Sequence, residues 1–250
     1  MPRHQRVKSK SGYYHIMIRG NERKNIFHDE ADKLKFMEKL NQKKQGNRFF
    51  LHAFCLMDNH VHLMISEGEE DVAKVMKRIT VSYVSYFNKK YKRVGHLFQD
   101  RYKSEIVDED SYVLALARYI HQNPVKAGMV KSVEEYKWSS YHHYVNGWSD
   151  IVDTDIGLGL FSPNKENAHR QFIVYMNEKA QESFIDLVEE IDVMEEDAAK
   201  LLYGTMLLSE EGVVSEKLIK EFRHKTRLPI RKIAEITGLN KDKVNKFIKA

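Results

Sequence analysis

The first half of the chain alternates between short apolar runs and longer stretches in which apolar residues recur every three or four positions. The short runs predict strands and the longer stretches predict helices, because side chains on one face repeat every two residues in a strand and about every 3.6 in a helix. Strands are predicted over residues 13–19, 49–57 and 60–66 and near residues 102–107, and helices over residues 29–45, about 70–92 and 111–123.

This order, β-α-β-β-α-β-α, predicts an α+β domain: a ferredoxin-like antiparallel sheet with helices on one face. Past Gly147 the pattern is helical only, over residues 166–182 and 186–208 and again within residues 229–248. We therefore predict a first domain over residues 1–149, followed by an all-α extension.

Charge divides the chain into three regions. Residues 1–149 contain 26 Lys and Arg against 17 Asp and Glu, a net charge of +9. Residues 150–222 contain 6 against 17, or −11, and residues 223–250 contain 9 against 2, or +7. The formal net charge of +5 therefore conceals two basic regions that flank an acidic one. We predict that the basic regions bind nucleic acid and that the acidic helical region presents a solvated face.

The composition of the chain indicates the cellular compartment in which the protein is expected. No apolar run approaches the roughly 18 residues that a membrane span needs, and the N-terminal stretch Met1-Pro-Arg-His-Gln-Arg-Val-Lys8 lacks the apolar core of a signal peptide. The single cysteine, Cys55, lies in an apolar strand, which favours a buried thiol in a reducing compartment. We expect a cytoplasmic protein.

The most informative short motif is His60-Val61-His62, directly after the turn residues Asp58 and Asn59. These turn residues between two apolar runs predict a β-hairpin. Residues i and i+2 of a strand share a face, so both imidazoles point the same way, spaced to bind one metal ion with positions left open for substrate. Two half-buried histidines without a metal are the alternative that this short pattern leaves open.

The helix predicted over residues 111–123 carries a second set of polar residues. Tyr112, Tyr119 and Asn123 lie along one flank of its apolar stripe, and Tyr119 and Asn123 are one turn apart. Ordinary packing of the tyrosines is the alternative, and so is an asparagine that ends the helix before Pro124. Acidic and capping residues from Asp108 to Ser111 are expected to start the helix.

Two further stretches suggest contact with DNA. Basic residues cluster beside aromatic residues within residues 83–93, which is typical of single-stranded DNA binding, although helical spacing places part of the rings in the core. Near the C-terminus, Ala234, Gly238 and Val244 have the spacing of a helix-turn-helix. Its second helix would offer Lys241, Lys243, Asn245 and Lys246 to DNA. An ordinary helical hairpin is the alternative.

Five blocks, in this order along the chain, resemble one known family. They are Ser11-Gly-Tyr-Tyr-His-Ile-Met-Ile-Arg-Gly-Asn21, Met57-Asp-Asn-His-Val-His-Leu63, Gly95-His-Leu-Phe-Gln-Asp-Arg-Tyr-Lys-Ser104, Arg118-Tyr-Ile-His-Gln-Asn-Pro-Val-Lys-Ala-Gly-Met-Val130 and Glu135-Tyr-Lys-Trp-Ser-Ser-Tyr141. The blocks resemble the single-tyrosine HUH transposases, and within them the REP-associated tyrosine transposases. The resemblance covers roughly residues 1–150. Asp58 departs from it, since many relatives carry proline at that turn.

The resemblance implies an HUH catalytic domain over residues 1–149 that cleaves and rejoins single-stranded DNA with hairpin or palindromic ends. It implies that Tyr119 becomes joined to a 5′ phosphate and leaves a free 3′ hydroxyl. His60 and His62 are expected to hold Mg²⁺ or Mn²⁺, with Asn123 completing the ligand set. A homodimer and a location at the bacterial nucleoid are also expected. DNA contacts in this domain are expected from Arg19, Arg23, Lys24, Arg101 and Lys103.

The chemistry is consistent with this expectation. A phenol titrates near pH 10, so it attacks a phosphodiester at neutral pH only when a cation holds the phosphate and spreads its developing charge. Two other classes remain: a non-catalytic DNA-binding regulator derived from a transposase, and a zinc hydrolase. The intact His60, His62, Tyr119 and Asn123 argue against the regulator. The hydrolase would need a third strong ligand and a carboxylate base, which the motif does not clearly supply.

Overall fold

A computed structural model describes residues 8–147, 149–178, 184, 219–220, 223 and 230–249. The chain forms two compact units, Met1–Phe184 and Ile185–Ala250. Within the described ranges, no helix is both long and apolar enough to cross a membrane.

The first unit follows the predicted order of elements. Its strands are β1 (Tyr13–Arg19), β2 (Phe49–Leu56), β3 (His60–Glu67) and β4 (Lys103–Val107). Its helices are α1 (Glu30–Lys44), α2 (Val72–Lys90), α3 (Asp110–Lys126), α4 (Tyr141–Val145), α5 (Thr154–Gly159) and α6 (Lys165–Asn177). The order up to α3 is β-α-β-β-α-β-α, so this part of the prediction is confirmed.

The four strands form one antiparallel sheet in the order β2-β3-β1-β4. The hairpin β2–β3 turns at Asp58 and Asn59, as predicted. In the central pair, Met17 lies opposite His62 and Arg19 lies opposite His60. The histidine motif therefore lies on β3, a central strand with β2 on one side and β1 on the other.

Both faces of this sheet are covered. On β1 and β3 the side chains of Ile16, Ile18, Val61 and Leu63 point to one face and are at most 1% exposed. The neighbouring positions point to the opposite face, where the ring of Tyr119 from α3 contacts the ring of His62. Helices α1 and α2 pack on each other, and α1 contacts β2. The sequence analysis predicted helices on one face of the sheet, and the structure confirms this prediction only in part.

The buried carboxylate of Asp32 joins α1 to α2. It accepts hydrogen bonds from Lys90 Nζ (2.7 Å), Tyr86 Oη (3.0 Å) and Tyr91 Oη (2.7 Å). Burial alone would raise the pKa of Asp32, but Lys90 and the other donors outweigh it and the pKa is lowered. Tyr83 and Phe87 are fully buried. The aromatic rings of the 83–93 stretch are thus largely engaged in packing, whereas Lys89 and Lys92 are exposed. A contact of this stretch with DNA stays a prediction.

Helix α3 differs from its prediction at both ends. The side chain of Asp108 binds the N-terminal segment instead of capping the helix, accepting from Ser9 Oγ at 2.7 Å, and Glu109 at the N-cap makes no side-chain cap bond. The helix continues past Asn123 and through Pro124 to Lys126. Pro124 has no backbone N–H to donate within the helix, and its carbonyl accepts from the Met129 backbone at 2.9 Å.

Helices α5 and α6 lie beyond residue 149, where the sequence analysis placed the end of the first domain, and belong to the first unit. The ring of Phe172 on α6 stacks on Tyr144 of α4, with centroids 4.6 Å apart and planes at 9°. His121 Nε2 on α3 is 2.6 Å from Ser140 Oγ, which precedes α4. Helix α6, which lies in the predicted acidic region, thus packs on α3, the helix that carries Tyr119.

The described part of the second unit contains a helical pair, α7 (Ile230–Thr237) and α8 (Lys241–Lys249). Gly238 joins them with φ +68°, a conformation that favours glycine. Ile233 and Val244 are fully buried. The predicted helix over residues 186–208 lies outside the described residues.

One buried histidine makes the stability of this fold dependent on pH. His52 on β2 is 1% exposed, and its Nε2 is 2.8 Å from Ser66 Oγ. Burial lowers the pKa of His52 to about 4, although Asp153 acts in the opposite direction. An unfolded histidine titrates near pH 6.5, so the unfolded chain takes up a proton between these values and the folded chain does not.

We therefore expect the contribution of His52 to stability to be complete above pH 6.5. It should be lost as the pH falls toward 4, by about 1.4 kcal/mol per pH unit. His52→Gln should flatten the pH dependence by this amount, as measured by urea unfolding at pH 6.5, 5.5 and 4.5. His142→Gln, which changes a half-exposed histidine of α4, serves as the control. Identical pH slopes for His52→Gln and the wild type would contradict the assignment.

Candidate active site

The face of the sheet that lies under α3 carries a row of polar side chains from three strands. His60 and His62 alternate along β3, and His15 on β1 lies opposite Glu105 on β4. His15 is displaced by two residues from the position opposite His62, so the two rings are diagonal neighbours on one face. Strand pairing thus assembles three imidazoles and a carboxylate from segments far apart in the sequence.

His60 and His62 lie close enough to act together. Their ring centroids are 5.0 Å apart and their planes are inclined at 84°. In each ring one nitrogen is engaged: His60 Nδ1 is 2.6 Å from Asn59 Oδ1, and His62 Nδ1 is 3.0 Å from His15 Nε2. This pattern suits a pair of metal ligands, since a ligating histidine uses one nitrogen for the metal and the other for an orienting hydrogen bond.

Electrostatics keep both rings neutral near pH 7. Burial, followed by the positive charge of Arg19, lowers the pKa of His60 to about 4. Burial, followed by the neighbouring His60 and His15, holds the pKa of His62 well below 6.5. A neutral imidazole has a lone pair to donate, so the donor set fits a divalent cation. Within the described ranges, no group of three or more His, Cys, Asp or Glu side chains could hold a metal ion.

Tyr119 faces this histidine cluster from α3. Its ring meets the ring of His62 edge-on at 5.7 Å and the ring of His15 at 5.9 Å. The residue is 1% exposed, with the ring of Phe184 at 5.0 Å and Lys126 Nζ at 4.5 Å from the ring centroid. The phenol is therefore covered by neighbouring side chains.

Tyr112, one candidate from the same helix, has a different environment. Its hydroxyl donates to Glu105 Oε1 at 3.0 Å. Burial and this carboxylate raise the pKa of Tyr112 to about 12. Glu105 therefore favours the protonated form of the Tyr112 phenol.

Asn123 lies one turn after Tyr119, as predicted. Its amide nitrogen donates to the backbone oxygen of Tyr119 at 2.9 Å, and the residue is 8% exposed. This bond uses the nitrogen and leaves the amide oxygen as the atom that could serve as a ligand.

The basic residues expected to contact DNA in the first unit lie around the end of β1. Arg19 pairs with His60, and Arg23 follows in a short 3-10 turn whose backbone accepts from Asn59 Nδ2. Lys24 is exposed and lies 2.6 Å from Glu22. Arg101 and Lys103 are exposed on the segment that leads into β4.

A groove of about 940 Å³ adjoins this end of β1. It lies between α2 and residues 95–102, with Lys77, His96, Phe98 and Arg101 among its lining residues. The backbone of Gln99 donates to the Arg19 oxygen at 3.0 Å, so the groove begins beside the strand end that carries Arg19. Basic and aromatic side chains in one groove are typical of nucleic-acid binding.

In the second unit, the predicted DNA-contacting residues share helix α8. Lys241, Lys243 and Lys246 are exposed and Asn245 is half-buried. Lys243 Nζ lies 5.8 Å from the ring centroid of Phe247. The geometry is that of two short helices joined by a turn, and the DNA contact itself remains a prediction.

Three residues near Tyr119 or His62 were missed by the sequence reasoning. His15 lies inside a block that resembles the family but had no role assigned to it, and Glu105 and Phe184 had no signal at all. An i, i+2 rule finds partners on one strand only. The partner of His62, His15, comes from β1, and Glu105 next to His15 comes from β4, so strand register is needed to find them.

A sheet with a histidine pair on a central strand, faced by a tyrosine on a covering helix, defines the class of this domain. It is the arrangement that the resemblance to single-tyrosine HUH transposases implied. Residues 8–123 match the family model described as "Transposase IS200 like", and this part of the chain is a domain of that family.

Two bacterial relatives confirm the resemblance to the REP-associated branch. A Haemophilus influenzae protein provisionally described as a REP-associated tyrosine transposase is 29% identical over 117 residues, covering 42% of this chain and 65% of that protein. The chain thus spans just under two thirds of that relative's length. The REP-associated tyrosine transposase of Escherichia coli K12 is 23% identical over 128 residues, covering 48% and 74%.

Among solved structures, a REP-associated tyrosine transposase bound to a REP hairpin matches with a TM-score of 0.49 and 21% identity. The match covers 62% of this chain and 93% of that one.

Proposed function

We propose that this protein is a DNA transposase that cleaves and rejoins single-stranded DNA at hairpin or palindromic ends through a 5′-phosphotyrosine intermediate on Tyr119. The observation that carries the proposal is the approach of the Tyr119 ring to within 5.7 Å of the His62 ring. The residue proposed as nucleophile and the residues proposed as metal ligands thus come from different elements and lie close together.

The proposed reaction is a transesterification. The Tyr119 oxygen forms a bond to the phosphorus, the bond from phosphorus to the 3′ oxygen breaks, and the phenol's proton is lost as the released 3′ hydroxyl gains one. The phosphotyrosine conserves the bond energy, so a DNA hydroxyl can later reverse the step and rejoin a strand. Lys126 beside the Tyr119 ring would place positive charge near the phosphate under attack.

His60 and His62 would hold the cofactor, Mg²⁺ or Mn²⁺, and Asn123 would add its amide oxygen. When bound, such a cation stabilises negative charge on the phosphate oxygens and orients the scissile bond. The protein's own part is to keep both imidazoles neutral and fixed in orientation, which burial and their Nδ1 hydrogen bonds provide.

DNA would enter along the basic end of β1. Arg19, Arg23, Lys24, Arg101 and Lys103 would contact the backbone there, and the adjoining groove with Phe98 and Lys77 would accept unpaired nucleotides. Helix α8 of the second unit would contribute a separate binding surface for the hairpin stem. A homodimer and a location at the nucleoid are part of the same proposal.

Replacing Tyr119 by Phe should abolish the covalent protein–DNA adduct, because the attacking oxygen is lost while the ring and its packing remain. The test incubates labelled hairpin DNA with Mn²⁺ and resolves adducts on a denaturing gel. Tyr112→Phe is the matched control on the same helix and should still form the adduct. Adduct formed by Tyr119→Phe and lost in Tyr112→Phe would assign the reaction to Tyr112.

Removing either metal ligand should have the same effect as removing the metal. His60→Ala and His62→Ala should each lower cleavage by roughly 100-fold or more, and excess EDTA should stop it, because the phosphate charge is then unscreened. His142→Gln should cleave at the wild-type rate, since this histidine lies outside the site. Full cleavage in excess EDTA would show that the pair is structural.

If α8 contacts DNA phosphates, the triple variant Lys241→Ala, Lys243→Ala, Lys246→Ala should bind hairpin DNA more weakly and with a flatter salt dependence. Each lost phosphate contact to duplex DNA lowers the log–log slope by about 0.9. Deleting residues 223–250 should reproduce the effect and spare cleavage of short single-stranded DNA at high concentration. The exposed Lys165→Ala is the control. An unchanged slope in the triple variant would exclude these contacts.

A further inference from the structure

Three buried or half-buried polar side chains form a chain across the sheet behind His62. His62 Nδ1 is 3.0 Å from His15 Nε2, a hydrogen-bond distance. The other nitrogen of His15, Nδ1, is 3.6 Å from Glu105 Oε2, which is too long for a hydrogen bond but close enough for the carboxylate charge to attract a proton on Nδ1. His15 and His62 are each 1% exposed, so water does not readily replace these partners.

The direction of the hydrogen bond follows from the chemistry at its two ends. A carboxylate is an acceptor only, so Glu105 favours the His15 form that carries its proton on Nδ1 and points it at the carboxylate. A neutral His15 with a proton on Nδ1 has a lone pair on Nε2. That lone pair accepts the proton of His62 Nδ1, which leaves the lone pair of His62 on Nε2.

We propose that His15 and Glu105 are positioning residues that hold His62 in the Nδ1–H tautomer and so present its Nε2 to a divalent cation. The inference rests on the proposed metal-dependent function and deepens it. Neither residue touches the DNA in this role; each acts through His62.

His60, the other proposed metal ligand, is held in the same Nδ1–H tautomer. His60 Nδ1 lies 2.6 Å from Asn59 Oδ1, and an amide oxygen accepts but cannot donate. His60 therefore also carries its proton on Nδ1 and its lone pair on Nε2. The two ligands reach the same tautomer through different neighbours, one local in sequence and one from another strand.

Packing alone does not account for His15 at this position. Most of its neighbours on β1, including Tyr14, Ile16 and Met17, are buried and largely apolar, and an aromatic or aliphatic side chain would fill the same space. A buried polar ring is costly unless it is hydrogen-bonded. An apolar residue would avoid that cost but could not orient His62.

The test separates shape from hydrogen bonding with two substitutions at one position. His15→Phe keeps a planar ring and its contact with Tyr119 but cannot accept a proton. His15→Gln can accept from His62 through its oxygen and donate toward Glu105 through its nitrogen. His52→Gln, in the same sheet but outside the site, is the control for replacing a buried histidine.

Two readouts that do not depend on DNA cleavage are measured on the full-length protein. The first is Mn²⁺ affinity, from the EPR signal of free Mn²⁺. We expect His15→Phe to weaken binding by roughly 10–100-fold, as loss of such an outer partner typically does, with His15→Gln and His52→Gln close to wild type and Glu105→Gln in between. Circular dichroism verifies that each variant is folded.

The second readout is the tautomer of His62 in metal-free protein, from long-range ¹H–¹⁵N NMR of the imidazole rings, assigned with His62→Gln. We expect the Nδ1–H form in the wild type and in His15→Gln, and a mixture of forms in His15→Phe. An Nε2–H form in the wild type would overturn the proposal whatever the protein does to DNA.

The two hypotheses can fail separately. If folded His15→Phe binds Mn²⁺ as tightly as the wild type, the positioning role is wrong and the metal-dependent function stands. If the wild type shows the Nδ1–H form but binds no Mn²⁺, the metal-dependent function fails, and with it the purpose proposed for His15 and Glu105.

Discussion

The antiparallel register between β1 and β3 is the constraint on which the site depends. Because Met17 lies opposite His62 and Arg19 opposite His60, the rings of His15 and His62 meet on the face below α3. A slip of one residue would turn the side chains of one strand to the other face. What prevents the slip is the buried apolar face, where each fully buried isoleucine, leucine or valine contributes about 1.5–3 kcal/mol.

The same sheet therefore has two different faces. One is apolar throughout β1 and β3 and fixes the register. The other carries His15 and His62, which are each 1% exposed, and the half-buried His60 and Glu105. Burying such polar groups costs free energy that hydrogen bonds can offset. Asn59 partners His60, and His15 partners His62. A polar network in the centre of a small sheet is the kind of local conflict that proteins maintain at functional sites.

Helix α3 connects this network to the rest of the unit. It places Tyr119 over the histidines, and its opposite flank is held by His121 against Ser140 and by Arg118, 3.2 Å from Glu178. Helices α4 and α6 thus support the position of Tyr119 although they contribute no residue to the proposed reaction. Helices α5 and α6 are part of the same packed unit.

Local patterns in the sequence determined the order of strands and helices, the β2–β3 hairpin, and the shared face of His60 and His62. Each depends on residues a few positions apart, where periodicity and turn chemistry decide the outcome. The spacing of Tyr119 and Asn123 on one helix is of the same kind, as is the turn at Gly238. Local spacing did not decide whether the basic and aromatic residues 83–93 are buried or exposed. Tyr86, Lys90 and Tyr91 bind Asp32, which lies on another helix.

Only the tertiary structure decided which groups meet. The partner of His62, His15, lies 47 residues earlier on β1, and the neighbour of His15, Glu105, lies on β4. No short-range pattern encodes these pairings. The same holds for Phe184 against Tyr119, and for helix α6 against α3. Chain segments distant in sequence are brought together by strand register and by burial, which depend on the whole fold. The local sequence therefore identified the chemical groups of the site, and the packing of the sheet supplied their orientation.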